Sequence, residues 1–129
     1  MNSKHILLSP PHMGGTEPTY IAQAFQDNWI APAGPHIDLF ENRLVDFLDE
    51  KSQVVALNSG TAAIHLGLQL LGVQKGDVVL CQSLTFIASV NPVLYLGATP
   101  VFIGSEKETW NLCPIALEEA VLNQLNKGI

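Results

Sequence analysis

The spacing of apolar residues changes partway along the chain, and that change divides it. Ile37, Phe40, Leu44, Phe47 and Leu48 recur at three- and four-residue steps, which places them on one face of a helix over residues 36–49. An earlier helix is predicted over residues 17–28. Thr16 can cap it, Glu17 suits the positive end of its dipole, and Pro18 is tolerated in the first turn. Residues 2–15 read as an extended arm and loop, and residues 29–35, with two prolines and Gly34, as a second loop. From residue 54 the period shortens. Residues 54–57, 78–82 and 100–103 are short, mostly apolar runs, as expected of strands buried on both faces. Between them lie two helices of very low charge. The first covers residues 62–71 and ends at Gly72, where a C-terminal cap belongs; the second covers 85–96, should be bent or shortened by Pro92 and ends at Gly97. Pro114 opens a last helix reaching about residue 125.

Strand, helix, strand, helix, strand with uncharged helices between predicts an α/β fold with a mostly parallel sheet and flanking helices. The expected organisation is an arm with two helices over residues 1–50, followed by a βαβαβ segment over 53–129.

Composition sharpens this. Only 14% of the 129 residues are charged, against roughly 25% in an average soluble domain. A small self-contained domain has a high surface-to-volume ratio and should be richer in charge. The deficit favours a slice of a larger domain, with faces covered by other segments, over a tightly packed small one. The net charge of -6, from 6 basic and 12 acidic residues, offers no footprint for nucleic acid or an anionic membrane. No run approaches the ~20 apolar residues of a membrane span, and the first residues do not form a signal peptide. Cys81 and Cys113 fit no metal-binding spacing; free thiols in a reducing cytoplasm are expected, with no metal site.

Ligands of parallel sheets bind outside the carboxyl ends of the strands, which directs attention to residues 58–61, 83–86 and 104–111. Asn58, Ser59, Gly60, Thr61, Ala62 and Ala63 stand where a strand hands over to a helix. The amino end of that helix presents unpaired N–H groups and partial positive charge, Gly60 allows close backbone approach, and Ser59 or Thr61 adds a hydroxyl, so a phosphate fits. The plainer reading is a βα loop with Ser59 as N-cap. No Walker sequence and no GxGxxG is present. Phe86 follows the next strand and could lie against a planar ring; taken alone, core packing is the expected role of such a residue.

The run from Asn58 through Leu66 resembles the phosphate-loop segment of the DegT/DnrJ/EryC1/StrS family of pyridoxal phosphate (PLP) dependent sugar aminotransferases. Gly76, Asp77, Val78, Val79 and Leu80, then Leu84 through Ser89, then Leu96 through Phe102 are similar to the family's next stretch in order and spacing. Trp29, Ile30, Gly34, Pro35, Phe40 and Glu41 resemble its upstream motif. The resemblance covers nearly the whole chain and implies the amino-terminal portion of the large domain of a fold-type-I (aspartate-aminotransferase-like) transferase. By that resemblance Gly60, Thr61 and Ala62, with Ser59, would bind the cofactor phosphate; Phe86 would stack on the pyridine ring; Trp29, Ile30 and Gly34 would lie near the substrate entrance. It further implies a nucleotide-sugar substrate, an amino donor such as glutamate, and a homodimer serving amino-sugar or polysaccharide biosynthesis.

Two departures stand out. Gly104, Ser105 and Glu106 occupy a stretch where the family usually carries an acidic residue nearer the strand, and Cys113 stands where aspartate is common. The lysine that bonds the cofactor and the aspartate that pairs with its pyridine nitrogen belong to a later part of the family's sequence. None of Lys4, Lys51, Lys75, Lys107 and Lys127 stands at the family's Ser-x-x-x-x-Lys spacing, so no residue here is expected to be catalytic. His65, on the helix after the phosphate loop, is expected to pack. A non-catalytic remnant or binding module and a PLP-dependent sugar dehydratase remain as alternatives.

Overall fold

The computed structural model describes residues 6–48 and 51–128; the start of the arm, Lys4 and the expected end of the second helix at residue 49 lie outside them. Contacts divide the chain into two units, Met1–Ala56 and Leu57–Ile129.

The first unit holds α1 (Glu17–Gln26) and α2 (Pro35–Leu48). Thr16 does not cap α1 through its side chain; its backbone is already in the helical region. The carboxylate of Glu17 instead accepts from the N–H of Gly14 at 2.6 Å and of Gly15 at 2.7 Å, both upstream of the helix, and so fastens the preceding turn. A charged acceptor forms strong bonds to such amides, so Glu17 organises the turn that leads into α1. α1 stops at Asn28, which is left-handed with φ 58°. The N–H of Asn28 donates to Phe25 O and that of Trp29 to Ala24 O, the paired bonds of a Schellman ending. α2 begins when Gly34 O accepts from the N–H of Ile37 and Asp38.

The predicted first strand does not form. No ladder pairs residues 54–57 among the described residues, and Val55 is 67% exposed. Within the first unit a side chain holds this run instead: Glu41 Oε1 accepts from Ala56 N–H at 2.7 Å. Apolar β-branched residues favour an extended backbone, but a strand also needs a neighbour to receive its N–H and C=O groups.

The second unit contains α3 (Gly60–Leu70), β1 (Val78–Gln82), a 3₁₀ turn (Ile87–Ser89), α4 (Asn91–Tyr95), β2 (Thr99–Ile103) and α5 (Pro114–Asn126). Among the described residues the sheet has two strands rather than the predicted three. β1 and β2 run parallel, with Val78 opposite Thr99 and Gln82 opposite Ile103. Pro100 lacks a backbone donor, which is tolerated in a strand with one neighbour. The helix predicted over 85–96 is broken in two. Pro92 sits in the first turn of α4, where its missing N–H costs no helix bond. α3 ends at Gly72 (φ 82°) and α4 at Gly97 (φ 74°), each with the two bonds of a Schellman motif: Gly72 to Gln69 and Val73 to Leu68, then Gly97 to Leu94 and Ala98 to Val93.

α3 packs on α4 and on the 3₁₀ turn, while α4 and α5 pack on β2. The core consists of Val90, Pro92, Val93, Ala98 and Ile103, gathered where α4 meets β2. No helix among the described residues is long and apolar enough to cross a membrane.

Candidate functional site

In the second unit the sequence builds an exposed helix terminus. Ser59 is extended (φ -162°) and its Oγ accepts from Ala62 N–H at 3.2 Å, so it is the N-cap of α3. Its hydroxyl proton remains available to donate. The N–H groups of Gly60 and Thr61, in the first turn, have no acceptor within an α-helix by geometry. A Cβ added to Gly60 would meet nothing within 4 Å, so open space lies in front of this backbone. Ala62 is the exception among the expected phosphate donors, because its N–H is already engaged by Ser59. Thr61 and Ala62 are half-buried.

Phe86 precedes the 3₁₀ turn in an extended conformation (φ -62°, ψ 138°) and is 86% exposed. The core role expected of this residue in isolation is therefore not the one it has. The hydroxyls of Thr85 and Ser89 lie 3.2 Å apart, and Ser89 N–H donates to Phe86 O, which fixes the turn carrying the ring. Leu84, Thr85 and Phe86 line one shallow depression. Because α3 packs on this turn, the phosphate-type terminus and the aromatic stand on adjoining elements. His65, also on α3, meets the ring of Tyr95 edge-on with centroids 5.8 Å apart, a packing role.

The loop after β2 is closed by an antiparallel bridge between Ser105 and Leu112 and by bonds from Cys113 N–H to Gly104 O and from Glu106 N–H to Asn111 O. Inside it the Glu106 carboxylate accepts from the N–H of Glu108 (2.6 Å) and Thr109 (2.7 Å) and from the Thr109 hydroxyl. The Thr109 hydroxyl, and then the Glu108 amide, hold the Glu106 carboxyl below its ordinary value. Trp110 adopts φ 66°, uncommon for a large residue. Gln82, the last residue of β1, donates from Nε2 to Trp110 O at 2.9 Å and to Ser105 Oγ at 3.2 Å. Sequence reasoning missed this link, since nothing local signals a bond between residues 28 apart. Burial pushes the Cys81 thiol up, which disfavours its thiolate form.

In the first unit Trp29 and Gly34 are neighbours: a Cβ on Gly34 would come within 2.9 Å of Trp29 Cε3. Both line a small cavity with Ala31, Ala33, Pro35 and His36; Ile30 is 65% exposed and does not line it.

Residues 11–129 match the DegT/DnrJ/EryC1/StrS aminotransferase family. The chain belongs to that family. It is 56% identical over 97% of its length to the Bacillus subtilis (strain 168) protein named "Putative pyridoxal phosphate-dependent aminotransferase EpsN", of which it covers 32%. It is 38% identical over 96% of its length to the GDP-perosamine synthase of Caulobacter vibrioides, covering 33% of it. Among solved structures, the PLP form of "Putative sugar aminotransferase Spr1654" from Streptococcus pneumoniae superposes with a TM-score of 0.79 at 33% identity. That match covers 91% of this chain and 29% of the other. A second structure of the same protein is its pyridoxamine phosphate (PMP) form. The chain thus spans about a third of the length of the curated relatives it matches. Members of the DegT/DnrJ/EryC1/StrS family depend on PLP, and the α/β arrangement with a parallel sheet is a portion of their fold. The residues present fit part of that cofactor: a glycine-led helix terminus with open space for a phosphate, and an exposed aromatic on the neighbouring turn.

Proposed function

We propose that this chain supplies the phosphate cradle and ring-stacking surface of a PLP-dependent aminotransferase acting on a nucleotide-linked keto sugar, with a small amino acid such as glutamate as donor. The observation that carries the reading is the exposed amino end of α3 at Gly60, beside a turn that holds Phe86 out of the core, in a chain of this family. Gly60 and Thr61 N–H groups and the Ser59 hydroxyl would bind the phosphate, helped by the positive end of α3. Phe86 would lie against the ring and exclude water from one of its faces. PLP, when bound, supplies the electron sink that amino-group transfer requires. GDP-perosamine synthase and the spore coat polysaccharide biosynthesis protein SpsC are among the relatives, which supports amino-sugar or polysaccharide biosynthesis as the setting; a cytoplasmic location is proposed with it.

The chain by itself is proposed to be inactive. Lys75 packs its Cβ region at Gly97, just ahead of β2, so it stands at the amino ends of the strands, away from the candidate site. Lys107 lies in the loop after β2 beside Glu106, whose carboxylate is bound to loop amides. Trp29, Ile30 and Gly34 are proposed to lie near the sugar-nucleotide entrance of a complete, homodimeric enzyme. Exposed apolar residues such as Leu70, Leu71, Ile115 and Leu125 support the idea that further polypeptide covers this unit.

Equilibrium dialysis of the purified chain against PLP tests the reading, with Gly60→Ala and Phe86→Ala as comparisons. Weak saturable binding, lowered by both changes, is expected, since each net hydrogen bond contributes only about 1 kcal/mol. Binding indifferent to both overturns the site. Borohydride reduction onto one specific lysine, with turnover of an amino donor, overturns the inactivity.

A further inference from the structure

The strained backbone at Trp110 has a partner that the cofactor reading leaves unused. Gln82 sits at the carboxyl end of β1, one residue before the chain leaves the sheet; Ser83 N–H makes the last strand-to-strand bond, to Ile103 O at 2.9 Å. The Gln82 carboxamide has two N–H donors, and its nitrogen reaches two acceptors, Trp110 O and Ser105 Oγ. Both acceptors belong to the closed loop after β2, which the Ser105–Leu112 bridge and the Glu106 carboxylate make stiff. Trp110 takes its left-handed conformation within that loop, and a residue so placed persists only where its surroundings over-determine it. The Gln82 bond to Trp110 O is one of the contacts that hold it, beside the bridge and the Glu106 bonds.

We propose that Gln82 is a positioning residue for ring binding. By fastening the end of β1 to the Trp110 loop, it fixes the point from which residues 83–86 depart, and hence where the exposed Phe86 ring stands relative to the amino end of α3. The inference rests on the cofactor reading above and adds a residue that touches neither phosphate nor ring. A loose β1 terminus would leave the phosphate cradle intact, because Ser59, Gly60 and Thr61 are held by the capping of α3 and not by β1.

The test compares two probes on the 129-residue chain, PLP and inorganic phosphate, with Gln82→Glu as the main variant. Glutamate keeps the shape and loses both N–H donors, so it cannot bond to Trp110 O. A three- to tenfold loss of PLP affinity is expected, with phosphate affinity unchanged. Amide exchange should speed up at residues 83–86 and 106–111 and stay as it was in α3. Ser105→Ala, which removes one acceptor and leaves the Trp110 bond, should show a smaller loss in the same direction and guards against misfolding of the first variant. Unchanged PLP affinity in both variants overturns the proposal while leaving the cofactor reading intact. Equal loss for both probes also overturns it, since that is a general structural effect. Failure of the unsubstituted chain to bind either probe overturns the cofactor reading and the proposal with it.

Discussion

The first unit has the more clearly amphipathic helices, yet among the described residues only the second has a core. In α1 and α2 no residue is buried, and Phe40, Phe47 and Leu48, on the apolar face that the periodicity marks, stay more than half exposed. In the second unit a five-residue helix, α4, buries Pro92 and Val93 completely. Length and periodicity do not account for this. α4 packs against α3, the 3₁₀ turn and β2, so its burial comes from elements close in sequence. An amphipathic face marks where burial is wanted, but burial itself requires a covering surface. The first unit advertises such a face and the second satisfies part of its own.

The largest test of this contrast is a pair of truncations. Val93→Ala should lower stability by about 2–3 kcal/mol, through lost transfer energy and the cavity left behind. Phe47→Ala, at an 83% exposed site, should stay within about 0.5 kcal/mol despite removing a larger side chain. Urea midpoints followed by Trp110 fluorescence in a Trp29→Phe background for Val93→Ala, and by Trp29 fluorescence in a Trp110→Phe background for Phe47→Ala, measure the two. A cost for Phe47→Ala above that of Val93→Ala would mean that the first unit has a core of its own.

Two glycines sharpen the comparison. Gly34→Ala should cost about 1–3 kcal/mol and move the Trp29 ring, because its φ of 153° and the 2.9 Å approach to Trp29 leave no room for a methyl group. Gly60→Ala should keep the fold, since its Cβ meets open space, and reduce only ligand binding. Near-ultraviolet circular dichroism reads the first and dialysis the second. A smaller effect, about 1 kcal/mol, is expected for Ser59→Ala, which removes the N-cap of α3; faster amide exchange confined to the first turn of α3 would show it.

The smallest expected effect is a pH dependence common to both units. Glu17 is held below the ordinary carboxylate value by backbone amides, its own first and then those of Gly14 and Gly15, and Glu106 by the Thr109 hydroxyl and the Glu108 amide. A carboxyl depressed in the folded state contributes stability fully above its unfolded value and loses it as pH falls through the folded value. Both loops should therefore be intact at neutral pH and loosen only below the usual carboxylate range, visible as faster exchange at Gly14, Gly15, Glu108 and Thr109. Loosening that begins near pH 6 would contradict the assignment.

Much of this was legible in the chain. The apolar rows of α2 and α3, the stops at Gly72 and Gly97 and the opening of α5 at Pro114 are local, and local rules found them. Val54 and Val55 misled because strand formation depends on a partner that sequence period does not reveal. Thr16 misled because its backbone is already helical and its side chain makes no capping bond, which residue type alone does not reveal. At the candidate site Gly60 and Ser59 were readable from the loop-to-helix order, and the family resemblance supplied the reading of Phe86. The bond from Gln82 to Trp110 was not readable, because it depends on the register of β1 with β2 and on a left-handed tryptophan that no residue-type rule anticipates.

The left-handed stops at Asn28, Gly72 and Gly97 bear on how the chain is made. Each is completed by bonds spanning no more than five residues, as from Trp29 to Ala24 or from Ala98 to Val93. A helix emerging from the ribosome can therefore terminate as soon as the next two residues are free of the exit tunnel. Pairing of β1 with β2 must wait for some twenty more residues of synthesis, from Val78 to its partner Thr99. During vectorial synthesis the helical punctuation would come first and the sheet second, so a nascent chain would keep its turns in place while its strands are still waiting for neighbours.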